Sequence, residues 1–132
     1  MTKLLRSRRA LVLGIALAAC APDPSVAPEK AAGVYVLESV AGRGPSTGTI
    51  TLSAKGGAER QVRYTSLGSP FDQHLVGSFR IDGDSIAFML RPSDNPSEFV
   101  WPVTGQWLGS EFTITYPDPA DGPDITERYR KQ

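Results

Sequence analysis

The chain has 132 residues, one cysteine, and 14 basic and 14 acidic side chains, and 40% of its residues are apolar. This length fits one small domain, and the composition is that of a folded globular protein rather than a disordered or fibrous one. A single cysteine excludes a disulfide framework within the chain and a zinc site built from several of its thiolates. The charge is uneven, because residues 1–19 hold four bases and no acid, whereas residues 20–132 hold ten bases and 14 acids. Such an acidic body argues against nucleic acid as a partner, since phosphates require a basic surface.

The first 19 residues have the layout of a secretory signal peptide. Residues 1–9 are positively charged, and residues 10–19 form an uncharged and mostly apolar run. This run is too short for a transmembrane helix, which needs roughly 20 apolar residues to cross the bilayer. We therefore predict that residues 1–19 are removed as a signal peptide.

The predicted cleavage site resembles the lipobox of bacterial lipoproteins. It reads Leu17-Ala18-Ala19-Cys20, a branched apolar residue followed by two small residues and a cysteine. The resemblance implies cleavage before Cys20, a diacylglyceryl group on its thiol and acylation of the new amine, typically with palmitate. One acyl chain holds a protein at a membrane only marginally, at about 0.8 kcal/mol per buried methylene, so the several chains together give a stable anchor. In enteric bacteria an Asp after the cysteine retains lipoproteins in the inner membrane, so Ala21 favours the outer membrane. The alternative is a soluble secreted protein with a free thiol.

Residues 20–32 are predicted to be the lipidated cysteine and a flexible linker. The segment from Ala21 reads APDPSVAPEKAA, with three prolines and no hydrophobic periodicity. Such a composition is typical of an extended, semi-stiff spacer. This division leaves residues 33–132 to form the folded domain.

Residues 33–132 show alternating apolar and polar residues and no convincing helical pattern. The alternation predicts eight short strands, at 34–40, 48–53, 60–65, 74–81, 85–90, 99–107, 112–116 and 125–130. Asp82-Gly83, between the fourth and fifth of these, is a strong hairpin signal because glycine accepts positive φ. Pro102 cannot donate to a strand ladder, so it marks a bulge or an edge in the sixth strand.

The short connections favour antiparallel neighbours, because parallel strands need a long crossover. An antiparallel sheet with one apolar face must cover that face and protect its edges. An eight-stranded up-and-down barrel does both, and its interior is either filled by side chains or holds one small ligand. We therefore predict an all-β fold with such a barrel, and a β-sandwich is the alternative.

The predicted domain resembles the small lipocalin-like domains of bacterial lipoproteins. The likeness rests on Gly33-Val34-Tyr35 in the first strand, on the meander of strands, and on the C-terminal strand ending in Tyr129-Arg130. Gly33-x-Tyr35 is similar to the Gly-x-Trp that opens the lipocalin barrel. In that family the aromatic residue caps the barrel floor beside an arginine from the end of the barrel. The resemblance implies that Arg128 or Arg130 takes this place.

Three patterns associated with enzymes or metal sites are better explained here as turns or surface residues. Gly44-Pro45-Ser46-Thr47-Gly48 has the spacing of a nucleophile elbow, but a strand follows the serine where the elbow requires a helix. His74 is the only histidine, so no second imidazole shares a metal with it. Asp118, Asp121 and Asp124 miss the alternate spacing of a calcium loop. We therefore predict a protein that is not an enzyme and has no metal or cofactor.

Aromatic side chains on the predicted strands are the strongest candidates for ligand contacts, and the set that we select is Phe79, Phe88, Phe99, Trp101 and Phe112. The sequence does not fix which face points inward, so Trp101 and Trp107 either line the interior or form an exposed stripe. We predict a lipid-anchored envelope protein whose barrel binds a small apolar molecule or a partner. The alternative is a structural or accessory lipoprotein with a filled barrel that acts through its surface. The sequence leaves the oligomeric state open.

Overall fold

The structure is a computed structural model and describes residues 25–66, 68–95, 97 and 100–132. In these ranges a short strand, β1 (Ser25–Val26), and a one-turn helix, α1 (Pro28–Ala31), precede eight longer strands. These strands are β2 (Gly33–Ala41), β3 (Ser46–Leu52), β4 (Gly57–Ser66), β5 (Ser69–Asp82), β6 (Ser85–Pro92), β7 (Trp101–Trp107), β8 (Glu111–Tyr116) and β9 (Ile125–Lys131). All eight predicted strands are present, and β5 begins five residues earlier than the alternation indicated.

Strands β2 to β9 form one closed antiparallel barrel. Each strand pairs with the next along the chain, and β9 pairs with β2 to complete the ring. The predicted up-and-down barrel is therefore confirmed, and the sandwich alternative is wrong. Closure leaves each of the eight strands with a neighbour on both sides, which removes the exposed edges of an open sheet.

Aromatic rings fill the half of the barrel that contains the start of β2 and the end of β9, which we call the lower half. The ring of Phe112 is the centre of this cluster, with centroid distances of 5.1 Å to Tyr35, 5.6 Å to Phe88 and 5.2 Å to Tyr129. All four side chains are buried because strand alternation turns them to the inner face of the barrel. At these distances the rings are in contact, so this layer is a packed core rather than a ligand cavity. Burying one such ring contributes about 1.5–3 kcal/mol.

The N-terminal segment closes one end of the barrel, the end where β3, β5, β7 and β9 finish, which we call the floor. Ser25 and Val26 pair with Asp82 and Ile81 of β5. Helix α1 carries Ala31 into the core, where its side chain is fully buried.

The linker predicted over 20–32 is therefore wrong for residues 25–32, which belong to the folded domain. Pro28 lies in the first turn of α1, where a proline has no helical hydrogen bond to lose. A proline that suggests a spacer in the sequence thus starts a helix in the fold. Residues 20–24 of the predicted linker lie outside the described residues.

The opposite end of the barrel, where β2, β4, β6 and β8 finish, is the mouth. There β7 pairs with β6 from Trp101 onward but with β8 only from Thr104, so β7 and β8 separate. Pro102 lies in this separated stretch, which confirms the local edge that the sequence predicted. The separation opens the barrel at one end only, since α1 and β1 cover the other.

Candidate binding cavity at the barrel mouth

A cavity of about 250 Å³ lies at the mouth. Its walls are mainly aromatic and aliphatic, and they include the side chains of Tyr64, Leu75, Leu90, Trp101 and Tyr116. Pro117 and Pro119 add to them from the connection after β8, and Gln73, Arg43 and Arg91 provide polar groups. Trp101 and Tyr116 meet edge to face with their centroids 4.9 Å apart. A concave apolar surface with a few polar groups is the usual form of a small-molecule site.

A buried ion pair lies in the middle of the barrel, and two of the side chains that hydrogen-bond to it also line the cavity. Arg60 on β4 and Glu127 on β9 are fully buried, and Nη2 of the arginine lies 2.6 Å from Oε2 of the glutamate. Tyr129 donates a 2.5 Å hydrogen bond to Oε1 of Glu127, and Tyr116 donates to Oε2. Arg60 also donates from Nη1 to the side-chain oxygen of Gln73. Gln73 and Tyr116 therefore face the cavity on one side and the ion pair on the other.

The contacts within this cluster determine its ionisation. Burial by itself raises the pKa of Glu127, but the charge of Arg60 and three hydrogen bonds outweigh burial and hold that pKa below its usual range. Burial lowers the pKa of Arg60, and its interactions with Tyr129 and Glu127 more than compensate. Burial raises the pKa of the Tyr116 and Tyr129 phenols. Near neutral pH the cluster therefore holds a carboxylate, a guanidinium and two neutral phenols.

One polar atom of this cluster has no hydrogen-bond partner. Among the residues that the structure describes, Nε of Arg60 is buried and its N–H donates to no acceptor. The Arg60 guanidinium lies 5.7 Å from the ring centroid of Trp101, which lines the cavity. The polar network of the core is thus nearly, but not fully, satisfied, and its open donor belongs to the side chain next to the cavity wall.

A second guanidinium, that of Arg43, lies at the rim of the cavity. Its central carbon is 4.1 Å from the ring centroid of Tyr64 and 5.7 Å from that of Tyr116. Within the described part of the chain, no carboxylate forms an ion pair with Arg43. Aromatic faces rather than an acid hold this side chain across the mouth.

The aromatic residues selected from the sequence divide between core and cavity. Phe79, Phe88 and Phe112 point inward, are buried in the core and do not line the cavity. Trp101 also points inward and is part of the cavity wall. Phe99 lies outside the described residues, as do Cys20 and the predicted signal peptide. A role of these side chains in ligand binding remains a prediction.

The arginine that the lipocalin resemblance implied does not lie beside Tyr35. Arg128 and Arg130 both point out of the barrel and pair with carboxylates on its outer surface. The prediction is wrong because Tyr129 points inward, and strand alternation then turns both of its neighbours outward. The ring of Tyr35 instead meets that of Trp107, with centroids 6.1 Å apart.

The serine, histidine and aspartates of the enzyme-like patterns lie outside the cavity. Ser46 begins β3, so a strand rather than the helix of a nucleophile elbow follows it, as predicted, although residues 46–48 belong to this strand and not to the predicted turn. His74 is exposed on β5, with Nε2 3.3 Å from a carboxylate oxygen of Glu59. The carboxylate of Asp118 accepts a 3.0 Å hydrogen bond from the backbone of Ala120. Across the described ranges, no three His, Cys, Asp or Glu side chains come close enough together to hold a metal ion.

Comparison with known proteins does not place the chain in a family. No protein-family model, no curated protein and no solved structure matches it. The resemblance to lipocalin-like domains is confirmed for the closed eight-stranded barrel alone. In the part of the chain that the structure describes, no helix has the length and apolar character needed to span a membrane.

The strand pattern of the sequence did not single out Arg60, Glu127 or Arg43, although it contains an indication of the first two. Arg60 precedes Val62 by two positions, and Glu127 lies between Ile125 and Tyr129. Strand alternation therefore puts a base and an acid on inward faces, which is unusual enough to suggest a buried pair. Arg43 lies in a turn, where no periodicity indicates the direction of a side chain.

Proposed function

We propose that the protein is a non-enzymatic lipoprotein of the cell envelope whose barrel binds a small, mostly apolar molecule at its mouth. The cavity of about 250 Å³ between Trp101, Leu75 and Leu90 is the observation that carries this proposal. A dry cavity of about 150 Å³ accepts benzene, so this one has room for a ligand somewhat larger than a single ring.

The filled lower half of the barrel limits the depth of the ligand. Below the cavity lie the Arg60–Glu127 ion pair and the aromatic layer around Phe112. A ligand that separated the ion pair would leave a buried charge without its partner, at a cost of several kcal/mol. The proposed ligand is therefore a short chain or a one- or two-ring compound rather than a long acyl chain.

The lipid anchor at Cys20 is part of the proposal. Ser25 follows Cys20 by five positions, and a fully extended chain spans at most about 3.6 Å per residue, or about 18 Å in all. Ser25 pairs with Asp82 at the floor of the barrel. An acylated Cys20 would thus hold the floor near the membrane surface, proposed to be that of the outer membrane, and the mouth would face away from the anchoring lipids.

Native mass spectrometry of the mature lipoprotein, purified from its own envelope, tests the binding function. We expect a bound mass that leaves on denaturation. We also expect it to be reduced in Trp101→Leu, which alters the cavity wall, and retained in Trp107→Leu, which makes the same change at the floor. A wild-type mass equal to that of the acylated chain alone, with no bound molecule, would overturn the proposal and favour a barrel that acts through its outer surface.

The anchor has a separate test. Cells grown with labelled palmitate should incorporate the label into the wild-type protein and not into Cys20→Ala. Label in the variant, or none in the wild type, would contradict the lipobox prediction without bearing on the cavity.

A further inference from the structure

We propose that the mouth cavity selects ligands that carry a carboxylate, and that Arg43 is the side chain that binds it. This inference rests on the proposed binding function and narrows its ligand to an amphipathic acid, with an apolar body in the cavity and an anionic group at the rim. Arg43 and Trp101, which would contact the two parts of such a molecule, line the same cavity.

Arg43 differs from five other arginines of the described residues in having no acidic partner among them. Five arginines in the described residues form ion pairs with acids: Arg60 with Glu127, Arg63 with Asp72, Arg80 with Asp82, Arg128 with Glu111, and Arg130 with Glu38. Arg43 instead lies against two tyrosine rings, and no acid of the described chain pairs with it. Among the described residues, this half-buried cation has no acidic partner, and it lies at the entrance to an apolar cavity.

The position of this guanidinium over the Tyr64 ring prepares it for an anion. Within the described residues none of its N–H groups donates a hydrogen bond, so these donors can pair with a ligand. A carboxylate matches two of these donors in a bidentate pair, which is stronger and more directional than a contact with a single charge. Because Tyr64 and Tyr116 already restrain the side chain, binding loses less rotamer entropy than it would at a freely moving arginine.

The charges around the cavity fix the orientation of the ligand. Deeper in the barrel, the Glu127 carboxylate already accepts hydrogen bonds from Tyr116, Tyr129 and Arg60, and its charge disfavours a second carboxylate beside it even though Nε of Arg60 has no acceptor there. An incoming carboxylate is therefore bound at the rim, and the apolar body points toward Leu75 and Leu90. The connection after β8 carries three aspartates, so a diffuse attraction for anions is weak and selection depends on direct contact with Arg43.

Pairs of an acid and its neutral amide test the inference. The probes are benzoate and benzamide, phenylacetate and phenylacetamide, and hexanoate and hexanamide. They are titrated against the mature lipoprotein in nanodiscs. The protein carries the Trp107→Phe substitution, so that its one remaining tryptophan, Trp101, reports binding through its fluorescence. We expect at least one acid to bind about tenfold more tightly than its amide, the size of effect that a charge-assisted pair provides. Arg43→Gln should abolish this preference, so that the acid and its amide bind with equal affinity.

Arg80→Gln is the matched control, because it removes an equal charge at the floor, where Arg80 pairs with Asp82. It should leave the preference intact. Equal binding of acid and amide, or a preference that survives Arg43→Gln, would overturn the role of Arg43 while the cavity still binds its apolar ligand. Failure of all six probes, together with a bare chain mass from the native protein, would overturn the binding function itself and this inference with it.

Discussion

Arg60 and Glu127 are 67 positions apart in the chain, and their side chains meet inside the barrel at 2.6 Å. They join β4 to β9, two strands that are not neighbours in the sheet. Removing two charges from water costs several kcal/mol per ion, which their attraction and the surrounding hydrogen bonds must offset. The net contribution of such a pair to stability is therefore small, but each partner depends strongly on the other.

This dependence predicts the outcome of removing one or both charges. Glu127→Gln leaves the Arg60 guanidinium buried without a counter-ion and should lower the free energy of unfolding by about 3–5 kcal/mol. Adding Arg60→Met removes the stranded charge, while the carbonyl of the introduced glutamine still accepts from a tyrosine, so most of the loss should be recovered. Urea denaturation of the wild type and the two variants measures both effects.

The exposed pair of Arg63 and Asp72 supplies the control for this experiment. Both side chains are more than half exposed, so Asp72→Asn should leave the urea midpoint nearly unchanged. A double variant as unstable as Glu127→Gln alone would contradict the explanation, since the loss would then come from packing and not from the stranded charge.

The lowered pKa of Glu127 predicts how the stability of the fold depends on pH. This pKa lies lower in the folded barrel than in the unfolded chain, where a glutamate titrates near pH 4.3. A group with a depressed folded pKa stabilises the fold when it is ionised. Its contribution is complete well above about pH 4.3 and is lost as the pH falls through the lower, folded value. Urea midpoints from about pH 7 to pH 3 should therefore fall more steeply in the wild type than in the Arg60→Met, Glu127→Gln double variant. Parallel curves would show that other carboxylates dominate.

The alternation of the strands was sufficient to predict the barrel, because each strand repeats its inward and outward pattern locally. Ile50 and Leu52 alternate with threonines, and both are buried as that pattern requires. The floor could not be predicted in this way. Residues 25–32 have no periodicity, and Ala31 is buried only because distant parts of the chain surround it. The cavity likewise depends on where β8 ends relative to β7 and on the path of the Arg43 side chain across the mouth, and neither is encoded in a local pattern.

Close contact between strands makes two glycines sensitive to substitution. A Cβ atom at Gly77 would lie 1.8 Å from the carbonyl oxygen of Met89, and one at Gly105 would lie 1.6 Å from that of Thr113. Both neighbours are backbone atoms of paired strands and cannot move without disturbing the barrel. Alanine at either position should lower the free energy of unfolding by about 1–3 kcal/mol, as overpacking does elsewhere. Gly44→Ala is the control, because no atom lies within 4 Å of its Cβ position. Equal stability of the variants would mean that the strands separate easily at these positions.

The floor depends on a hydrogen bond from Tyr35, whose hydroxyl donates to the carbonyl oxygen of Ala31 at 2.7 Å. Tyr35→Phe keeps the ring in the core but leaves that buried carbonyl without its partner, at a cost of about 1–3 kcal/mol. The weakened contact is the one that holds α1 and β1 to the barrel. Amide hydrogen exchange should therefore quicken in Ser25–Ala31 more than in the barrel strands. Tyr64→Phe provides the control, since no hydrogen bond of the Tyr64 hydroxyl exists within the described chain. Unchanged exchange in Tyr35→Phe would mean that the pairing of β1 with β5 and the packing of Ala31 suffice to close the floor.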